Sequence, residues 1–263
     1  MPNYYAHLTF GQAVLDRLSP PVRRIIERQR EGFDCGLYGP DPLFFYHNGL
    51  PGPVVREGHT LHAGPPGVGL ERLRGPIDAR RPYALGYALG YLCHYLLDRA
   101  CHPYVYANCS ADGISHMAME GEFDRLLMQM NGIDPHAVTP MKRPAHKAVF
   151  AAAANAYTTV DAAGFRTAMA GFYRVSHCLT LFQGTVLCPV INLPARRSSS
   201  AAGMLLSKEP SPEAARTNAA LLALWEEAAD PAVPVVERAC RAFLAGEPLD
   251  FLPPENFKGE IPR

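Results

Sequence analysis

Helical periodicity dominates the pattern of apolar and polar positions along the chain. Apolar residues recur every three or four positions over long segments, and the strict alternation typical of strands is scarce. The pattern predicts helices over 11–30 (broken at Ser19-Pro20-Pro21), 82–101, 113–130, 144–157, 161–182 and 212–244. We therefore expect an all-α, single-domain multi-helix bundle over residues 1–263, with C-terminal helices within 140–245 and an extended tail over 246–263.

Three segments depart from this helical pattern. Residues 32–76 are dense in glycine and proline, and they predict a long irregular region whose aromatic residues argue against simple disorder. The helix over 82–101 is expected to stop before His102, because Pro103 disfavours an α conformation in the residue that precedes it. Residues 195–203, "ARRSSSAAG", predict a mobile loop.

The composition argues against several classes of partner and site. Lys and Arg total 25 and Asp and Glu total 25, so the formal net charge is zero and no basic excess indicates nucleic acid. The longest apolar run, Tyr83–Leu97, contains His94 and is shorter than the about 20 apolar residues of a membrane span. The N-terminus lacks a signal-peptide pattern, which predicts a cytoplasmic protein. Seven cysteines without a C-x-x-C pair argue against a disulfide framework or a thiolate zinc site.

Two histidine–carboxylate pairs have the spacing of neighbours on one helix face. His94 and Asp98 lie four positions apart, and so do His116 and Glu120. Such a pair can bind a divalent ion such as zinc. It can equally form a buried ion pair or an exposed helix pair, and about one such pair is expected by chance in this composition. Because a buried unpaired carboxylate is costly, the apolar setting of the first pair favours a partner, either a metal or an arginine.

Other candidate ligands flank these pairs. His102 follows the predicted helix, and it either turns toward the next helix or simply ends its own. Asp41 lies between prolines in "GPDP", as a fixed ligand or as an ordinary turn residue. Two more imidazoles occur in aromatic-rich, non-basic segments, His7 and His62. His59 and His47 lie in the same region as the second of these and are alternatives to it.

Taken in order, these residues resemble the ligand series of the zinc-dependent phospholipases C. The series is His7, Asp41, His62, His94-x-x-x-Asp98, His102 and His116-x-x-x-Glu120, within residues 4–125. The family includes small bacterial phosphatidylcholine-cleaving enzymes and the catalytic domain of clostridial α-toxin, and it is related in fold to the fungal single-strand nucleases. The segments "HLTFG", "GPDPLFFY" and "LGYLCHYLLDRACHPYV" look like those of short bacterial members without a secretion signal.

The resemblance implies a cluster of two or three zinc ions within a helical bundle. It assigns Asp41, His62, His94 and Asp98 to one ion, with Asp98 bridging to a second ion held partly by His7. The remaining ion would be held by three further residues, His102, His116 and Glu120. The resemblance also implies that a metal-bound hydroxide attacks a phosphodiester, with Asp41 as general base toward the water.

Residues beside the ligand series have several possible roles. Phe44, Phe45 and Tyr46 either line a substrate pocket or pack their segment onto the bundle. Glu122 is expected to be solvated, and Asp124 to act behind the ligands or as a surface acid. Three histidines are expected to be ordinary core or surface residues, His136, His146 and His177.

The His7 site departs most from the family pattern. In secreted members the mature N-terminal amine completes this site after signal removal, whereas this chain begins only six residues before His7. The resemblance implies a small phosphoester or a phospholipid headgroup as substrate, with no stable nucleic-acid partner. The alternatives are a single-strand nuclease-like phosphodiesterase and a non-catalytic metal-binding structural or regulatory protein. Residue types alone also leave manganese or iron open.

Overall fold

The structure, a computed structural model, describes residues 4–109, 114–183, 185, 205–206 and 208–262. Within these residues the regular elements are eleven α-helices and one 3₁₀ helix, and no strand occurs. The helices are α1 (Tyr4–Arg17), α2 (Pro20–Arg28), α3 (Arg30–Gly36), the 3₁₀ helix (Asp41–Asn48), α4 (Pro53–Ala63), α5 (Gly67–Arg72), α6 (Arg74–Asp78), α7 (Ala84–Asn108), α8 (His116–Met130), α9 (Lys147–Ala154), α10 (Ala162–Phe182) and α11 (Ala214–Ala245). The all-α prediction is confirmed, while the predicted loop over 195–203 lies outside the described residues.

Local sequence signals set several helix ends. α1 and α2 are separated at the predicted Ser19-Pro20-Pro21 break, because proline suits the first turn of α2. The Ser115 hydroxyl accepts the N–H of Ala118 (3.2 Å) and begins α8. The Asp161 carboxylate accepts the N–H of Gly164 (2.7 Å) and begins α10. The helices predicted over 113–130 and 161–182 are therefore confirmed, with small shifts at their starts.

The prediction of a long irregular region over 32–76 is wrong. The region contains most of α3, the 3₁₀ helix, α4, α5 and the start of α6. Its prolines are compatible with helices because Pro42 and Pro53 stand in first turns, where a missing N–H breaks no hydrogen bond. Proline and glycine therefore mark helix starts and short connections here, and the region positions two candidate ligands on helices.

The prediction that a helix ends before His102 is also wrong. α7 runs without interruption through Pro103. The restriction on the residue before proline is a preference, and contacts from the C-terminal segment offset it. His102 Nδ1 donates to the Phe257 carbonyl (2.7 Å), and Gly259 packs directly against Pro103. As a result, three candidate ligands at four-residue spacing share one face of α7, His94, Asp98 and His102.

The central helix of the molecule is α7. All of its residues from Ala84 to Asp98 are buried, and α1, α3, α9 and α11 pack around it. A side chain at Gly90 would collide with the Phe33 carbonyl, so this glycine lets α3 lie directly on α7. The chain that leaves α3 consequently passes beside His94. No helix in the described ranges combines the length and apolar character needed to cross a membrane.

Candidate metal centre

The eight predicted ligands meet at one place in the bundle. They form three groups, in each of which the candidate ligand atoms lie within 4.8 Å of one another. The groups are His7/His94/Asp98, Asp41/His62/His94 and His102/His116/Glu120. α1, the 3₁₀ helix, α4, α7 and α8 supply these residues, and His94 belongs to two groups. No other such group of His, Cys, Asp and Glu occurs in the described part of the chain.

Asp98 lies between the first two groups. Its Oδ1 is 3.2 Å from His7 Nε2, and its Oδ2 is 3.2 Å from His94 Nε2 and 3.9 Å from His62 Nε2. Burial alone would raise the pKa of this carboxyl, but the charges of His102 and His94 outweigh it and hold the pKa well below its usual range. Asp98 is thus a buried carboxylate whose two oxygens face different imidazoles, which is the geometry expected of a bridging ligand.

Backbone carbonyls fix the orientation of three histidine rings. The Nδ1–carbonyl pairs are His62 with Gly58 (2.8 Å), His94 with Leu37 (3.1 Å) and His102 with Phe257 (2.7 Å). A carbonyl oxygen only accepts, so Nδ1 carries the proton and Nε2 of each neutral ring presents a lone pair. Each of these Nε2 atoms faces a carboxylate of the centre. An outer hydrogen bond of this kind is what orients histidines that bind metals.

Glu120 organises the third group. Its Oε1 is 2.9 Å from His116 Nε2 and 3.3 Å from His102 Nε2. Burial would raise the pKa of Glu120, but the charge of His116 and the hydrogen bond from His102 hold it below its usual range. For His102, burial would lower the pKa, but the charges of Asp98 and Glu120 raise it to about 10. A cation entering this group would have to displace the proton that these carboxylates favour.

His7 tests whether these residues suit a cation. It is 1% exposed and its ring stacks on His94 with centroids 4.0 Å apart. Neither ring nitrogen forms a hydrogen bond of regular geometry within the described residues, although Nε2 lies 3.2 Å from Asp98 Oδ1. Nε2 of His94 is unpartnered as well. Burial, reinforced by the charge of His94, lowers the pKa of His7, so this ring is neutral at neutral pH. Buried polar atoms without partners are uncommon, and a divalent cation shared with Asp98 would remove the deficit.

Asp124 connects α1 to the centre. Its Oδ1 accepts the N–H of Ala6 (2.8 Å), and its Oδ2 accepts the N–H of Tyr5 (3.1 Å). The first N–H groups of a helix have no partner within that helix, so this buried carboxyl group of α8, whose pKa burial raises to about 8, caps α1 across the bundle. The two amides immediately precede His7. Asp124 therefore acts behind the ligands, which is one of the two roles the sequence left open for it.

Asp41 lies at the start of the 3₁₀ helix and faces two imidazoles. Its Oδ1 is 3.1 Å from His62 Nε2 and 4.0 Å from His94 Nε2. The turn before it depends on Gly39, whose φ of +49° is in the left-handed region and whose position would bring a Cβ into the His94 ring. The "GPDP" segment thus packs tightly against His94, and it directs the Asp41 carboxylate toward both His62 and His94.

Only one of the three predicted aromatic residues borders the centre. The Phe44 ring lies 5.1 Å from the His62 ring, centroid to centroid. Phe45 stacks on Phe172 of α10 (4.8 Å), and Tyr46 packs against the core. Phe45 and Tyr46 thus make the contacts expected if they pack their segment onto the bundle. A role in substrate binding stays a prediction for Phe44, Phe45 and Tyr46.

The solvated role expected for Glu122 is wrong. Glu122 is 4% exposed and its Oε2 lies 2.9 Å from Arg125 Nε, because α11 covers this face of α8. The alternatives to His62 are both exposed and belong to no group, His59 and His47. Three histidines also lie outside the groups, as expected, His136, His146 and His177.

The C-terminal segment contributes a wall of the centre that the sequence did not indicate. Phe257 is 1% exposed, and its ring lies 5.1 Å from the His62 ring and 5.9 Å from the His94 ring. Its carbonyl holds His102, which lies 155 residues earlier. The tail expected over 246–263 is non-helical after residue 246, but it folds back on α7, where the Tyr95 hydroxyl donates to two of its carbonyls.

Comparison with known proteins does not assign this centre to a family. No family model, no curated protein and no solved structure matches the chain. The donor set therefore has to be judged on its own chemistry. Five imidazoles and three carboxylates converge in a largely buried site, and this combination of nitrogen and oxygen donors could hold divalent metal ions.

Proposed function

We propose that this chain is a metal-dependent phosphoester hydrolase that binds zinc at this centre. The observation that carries the proposal is the pair of buried imidazoles, His7 and His94, with unpartnered nitrogens beside the Asp98 carboxylate. Imidazoles that face a buried carboxylate without forming a regular hydrogen bond gain little from it, whereas a cation would use the lone pairs of the deprotonated rings. The two oxygens of Asp98 also face imidazoles of the first two groups, so this carboxylate could bridge two closely spaced ions, as multi-metal hydrolases require.

Zinc is the cation that the donor set favours. The candidate ligands are imidazole nitrogens and carboxylate oxygens, and no cysteine of the described residues belongs to a group. These donors suit zinc, with manganese and iron as the alternatives. We expect roughly two to three ions per chain, in line with the number of groups.

In the proposed hydrolysis, one carboxylate would accept a proton and two others would compensate the charge of the metal ions. If zinc is bound, it would supply Lewis-acid chemistry toward a phosphoryl group and a water. Asp41, whose side chain is 14% exposed, would be placed to accept the proton of the attacking water. Asp98 and Glu120 stay ionised, because neighbouring imidazoles hold the pKa of each carboxyl below its usual range. The Phe257 ring presents an apolar surface to the His62 and His94 rings.

The ordered ligand series supports a phosphodiester as the bond that is cleaved, because it resembles the series of the zinc-dependent phospholipases C. We propose a small phosphoester or a phospholipid headgroup as substrate. A single-strand nuclease-like phosphodiesterase is the second candidate within the same chemistry, but the zero net charge does not favour an extended nucleic-acid surface. A metal-binding protein without turnover is the candidate from another class.

Metal analysis and a substrate panel test the proposal together. Purified protein should contain divalent ions, and it should hydrolyse at least one member of a panel comprising phosphatidylcholine, bis(4-nitrophenyl) phosphate, a phosphomonoester and single-stranded DNA. Chelator should abolish the activity and zinc should restore it. Protein that binds no divalent ion would overturn the proposal, and bound metal without any hydrolysis would favour the non-catalytic alternative.

Asp98→Asn tests the bridging carboxylate. The substitution removes an anionic candidate ligand that faces four imidazoles within 4 Å, so metal content and activity should both fall. Asp16→Asn, an equal charge change on an exposed side chain of α1, should leave both unchanged. If Asp98→Asn kept the wild-type metal content, the carboxylate would be part of a structural ion-pair network instead.

A further inference from the structure

Residues 255–260 form a tight turn that is fixed on α7 and α4. The Asn256 side-chain oxygen accepts the N–H groups of Lys258 (2.8 Å) and Glu260 (3.0 Å), and its amide nitrogen donates to the Ala63 carbonyl at the end of α4 (3.1 Å). Gly259, with φ +74°, lies directly against the proline of α7, where a side chain would collide. The backbone of Lys258 is therefore held in one position relative to the centre.

From this turn, the side chain of Lys258 extends toward Tyr106 of α7. Its Nζ is 6.0 Å from the centroid of the Tyr106 ring, and that ring is 5.0 Å from the His116 ring of the third group. On the other side, burial and then the charges of His62 and Lys258 lower the pKa of His59 in α4. Through Tyr106, the ammonium is thus connected to the edge of the third group.

The Lys258 ammonium has no carboxylate partner in the described part of the chain, although two acids share its segment. Glu255 pairs with Arg99 of α7 instead (3.3 Å), and Glu260 is exposed. A lysine without a carboxylate partner is available to an incoming anion. The centre itself contains three carboxylates, so a positive charge near it opposes their repulsion of an anionic ligand.

Among the candidate ligands, His116 and Asp41 have the most exposed side chains. The side chains of His116 and Asp41 are 23% and 14% exposed, whereas His94 is fully enclosed. Tyr106, beside His116, is 46% exposed. We propose that Lys258 and Tyr106 form an anion subsite at the mouth of the centre, which binds the phosphoryl group of an anionic phosphoester. This inference rests on the proposed function and names the residue that recognises the substrate charge.

The subsite divides substrate recognition between a charge and a ring. An ammonium on a flexible stem binds phosphate as a point charge and tolerates both monoesters and diesters. The exposed face of Tyr106 offers an apolar surface to the group esterified to the phosphate. The substrate class is therefore a phosphoester that carries at least one negative charge beside an apolar or aromatic group.

Lys258→Met tests the charge because methionine keeps the length of the stem and its packing on Tyr106. Inorganic phosphate would be titrated calorimetrically into zinc-loaded wild type, Lys258→Met, Lys258→Arg and the control Lys147→Met, an exposed lysine at the start of α9. Metal content and thermal stability of every sample would be measured alongside. We expect Lys258→Met to weaken phosphate binding about five- to tenfold with unchanged metal content, and Lys258→Arg and Lys147→Met to stay within about twofold of wild type.

The possible results separate this subsite from the metal centre. Unchanged phosphate affinity in Lys258→Met, or wild-type protein that binds zinc but no phosphate, would overturn the subsite and leave the metal centre intact. If the wild type bound no zinc, the hydrolase proposal would fall. Phosphate would then be titrated into the same variants without metal, and these titrations would test the subsite alone. A phosphate affinity that depends on Lys258 would support the subsite, and any other result would reject it.

Discussion

Replacing Asp124 with alanine separates the anchoring of α1 from the chemistry of the ligands. Asp124 belongs to none of the three ligand groups, but it accepts the N–H groups of Tyr5 and Ala6. These amides belong to the first turn of α1, which also carries His7. We expect Asp124→Ala to destabilise the fold and to remove metal from the His7 group in particular, because that group alone takes a ligand from α1.

The structure sets the expected size of this effect. A buried N–H group left without an acceptor costs about 1–3 kcal/mol, and water at the start of a helix recovers part of that. For two amides we expect a loss of about 3 kcal/mol in the free energy of unfolding. Each kcal/mol lowers the Tm of a chain of this size by about 2–4 °C, so the Tm should fall by about 6–12 °C. Asp124→Asn keeps one acceptor oxygen and should lose roughly half as much.

Two measurements on the same dialysed samples check the prediction. Circular dichroism would follow thermal unfolding, and plasma mass spectrometry would count metal ions per chain at a temperature well below the Tm. We expect about one ion fewer than in wild type, since the group around His102 does not depend on α1. Glu122→Gln is the matched control, because it also changes a buried carboxyl group of α8 but one that faces Arg125.

A wild-type Tm in Asp124→Ala would refute the anchoring of α1, because two buried amides cannot lose their acceptor without cost. A lowered Tm with the full metal content would refute the connection between α1 and the His7 group. If Glu122→Gln lost the same ion, the effect would be a general loosening of α8 instead.

Two further predictions concern Glu57 of α4 and Gly39 beside His94. Burial would raise the pKa of Glu57, but hydrogen bonds from Thr159 and Thr158 lower it below the ordinary 4.5. The ionised Glu57 therefore contributes fully to stability above pH 4.5, and this contribution is lost as the pH falls through the lowered pKa. The Tm difference between wild type and Glu57→Gln should therefore shrink below pH 4.5. A difference that stayed constant down to about pH 2, roughly two units below the ordinary carboxyl pKa, would contradict this. Gly39→Ala should lower the Tm and the metal content more than Gly132→Ala, because both have positive φ but only the first would meet the ring of a ligand. Equal losses in the two alanine variants would reject that contact.

The ligand pattern was predictable because helix geometry converts sequence spacing into proximity. The four-residue spacing of His94 and Asp98, and of His116 and Glu120, indicated a shared helix face, and both pairs are in contact. His102 also belongs with His116, although the reason differs from the expected one. It lies on the same face of α7 as Asp98, one turn further on, and not in a loop beyond a helix end.

The supporting contacts were not predictable from local patterns. Asp124 reaches α1 across 118 or 119 positions of sequence, and Phe257 reaches His102 across 155. Neither residue carries a spacing signal, because such contacts depend on how whole helices pack. The irregular region predicted over 32–76 failed for a related reason. Glycine and proline are typical of loops, and the prediction treated them as such. Here proline stands at helix starts, and glycine stands where helices cross closely, such as α3 on α7.

The hydrogen bond between His102 and the Phe257 carbonyl has a consequence for the order in which the centre is assembled. During synthesis, all eight candidate ligands emerge by residue 120, whereas this carbonyl emerges 155 residues after His102. At about 5–20 residues per second, the interval is about 8–30 s. Throughout that time the His102 ring lacks the carbonyl that selects its tautomer in the folded chain. The orientation of this candidate ligand is therefore complete only when the last residues of the chain have folded onto α7.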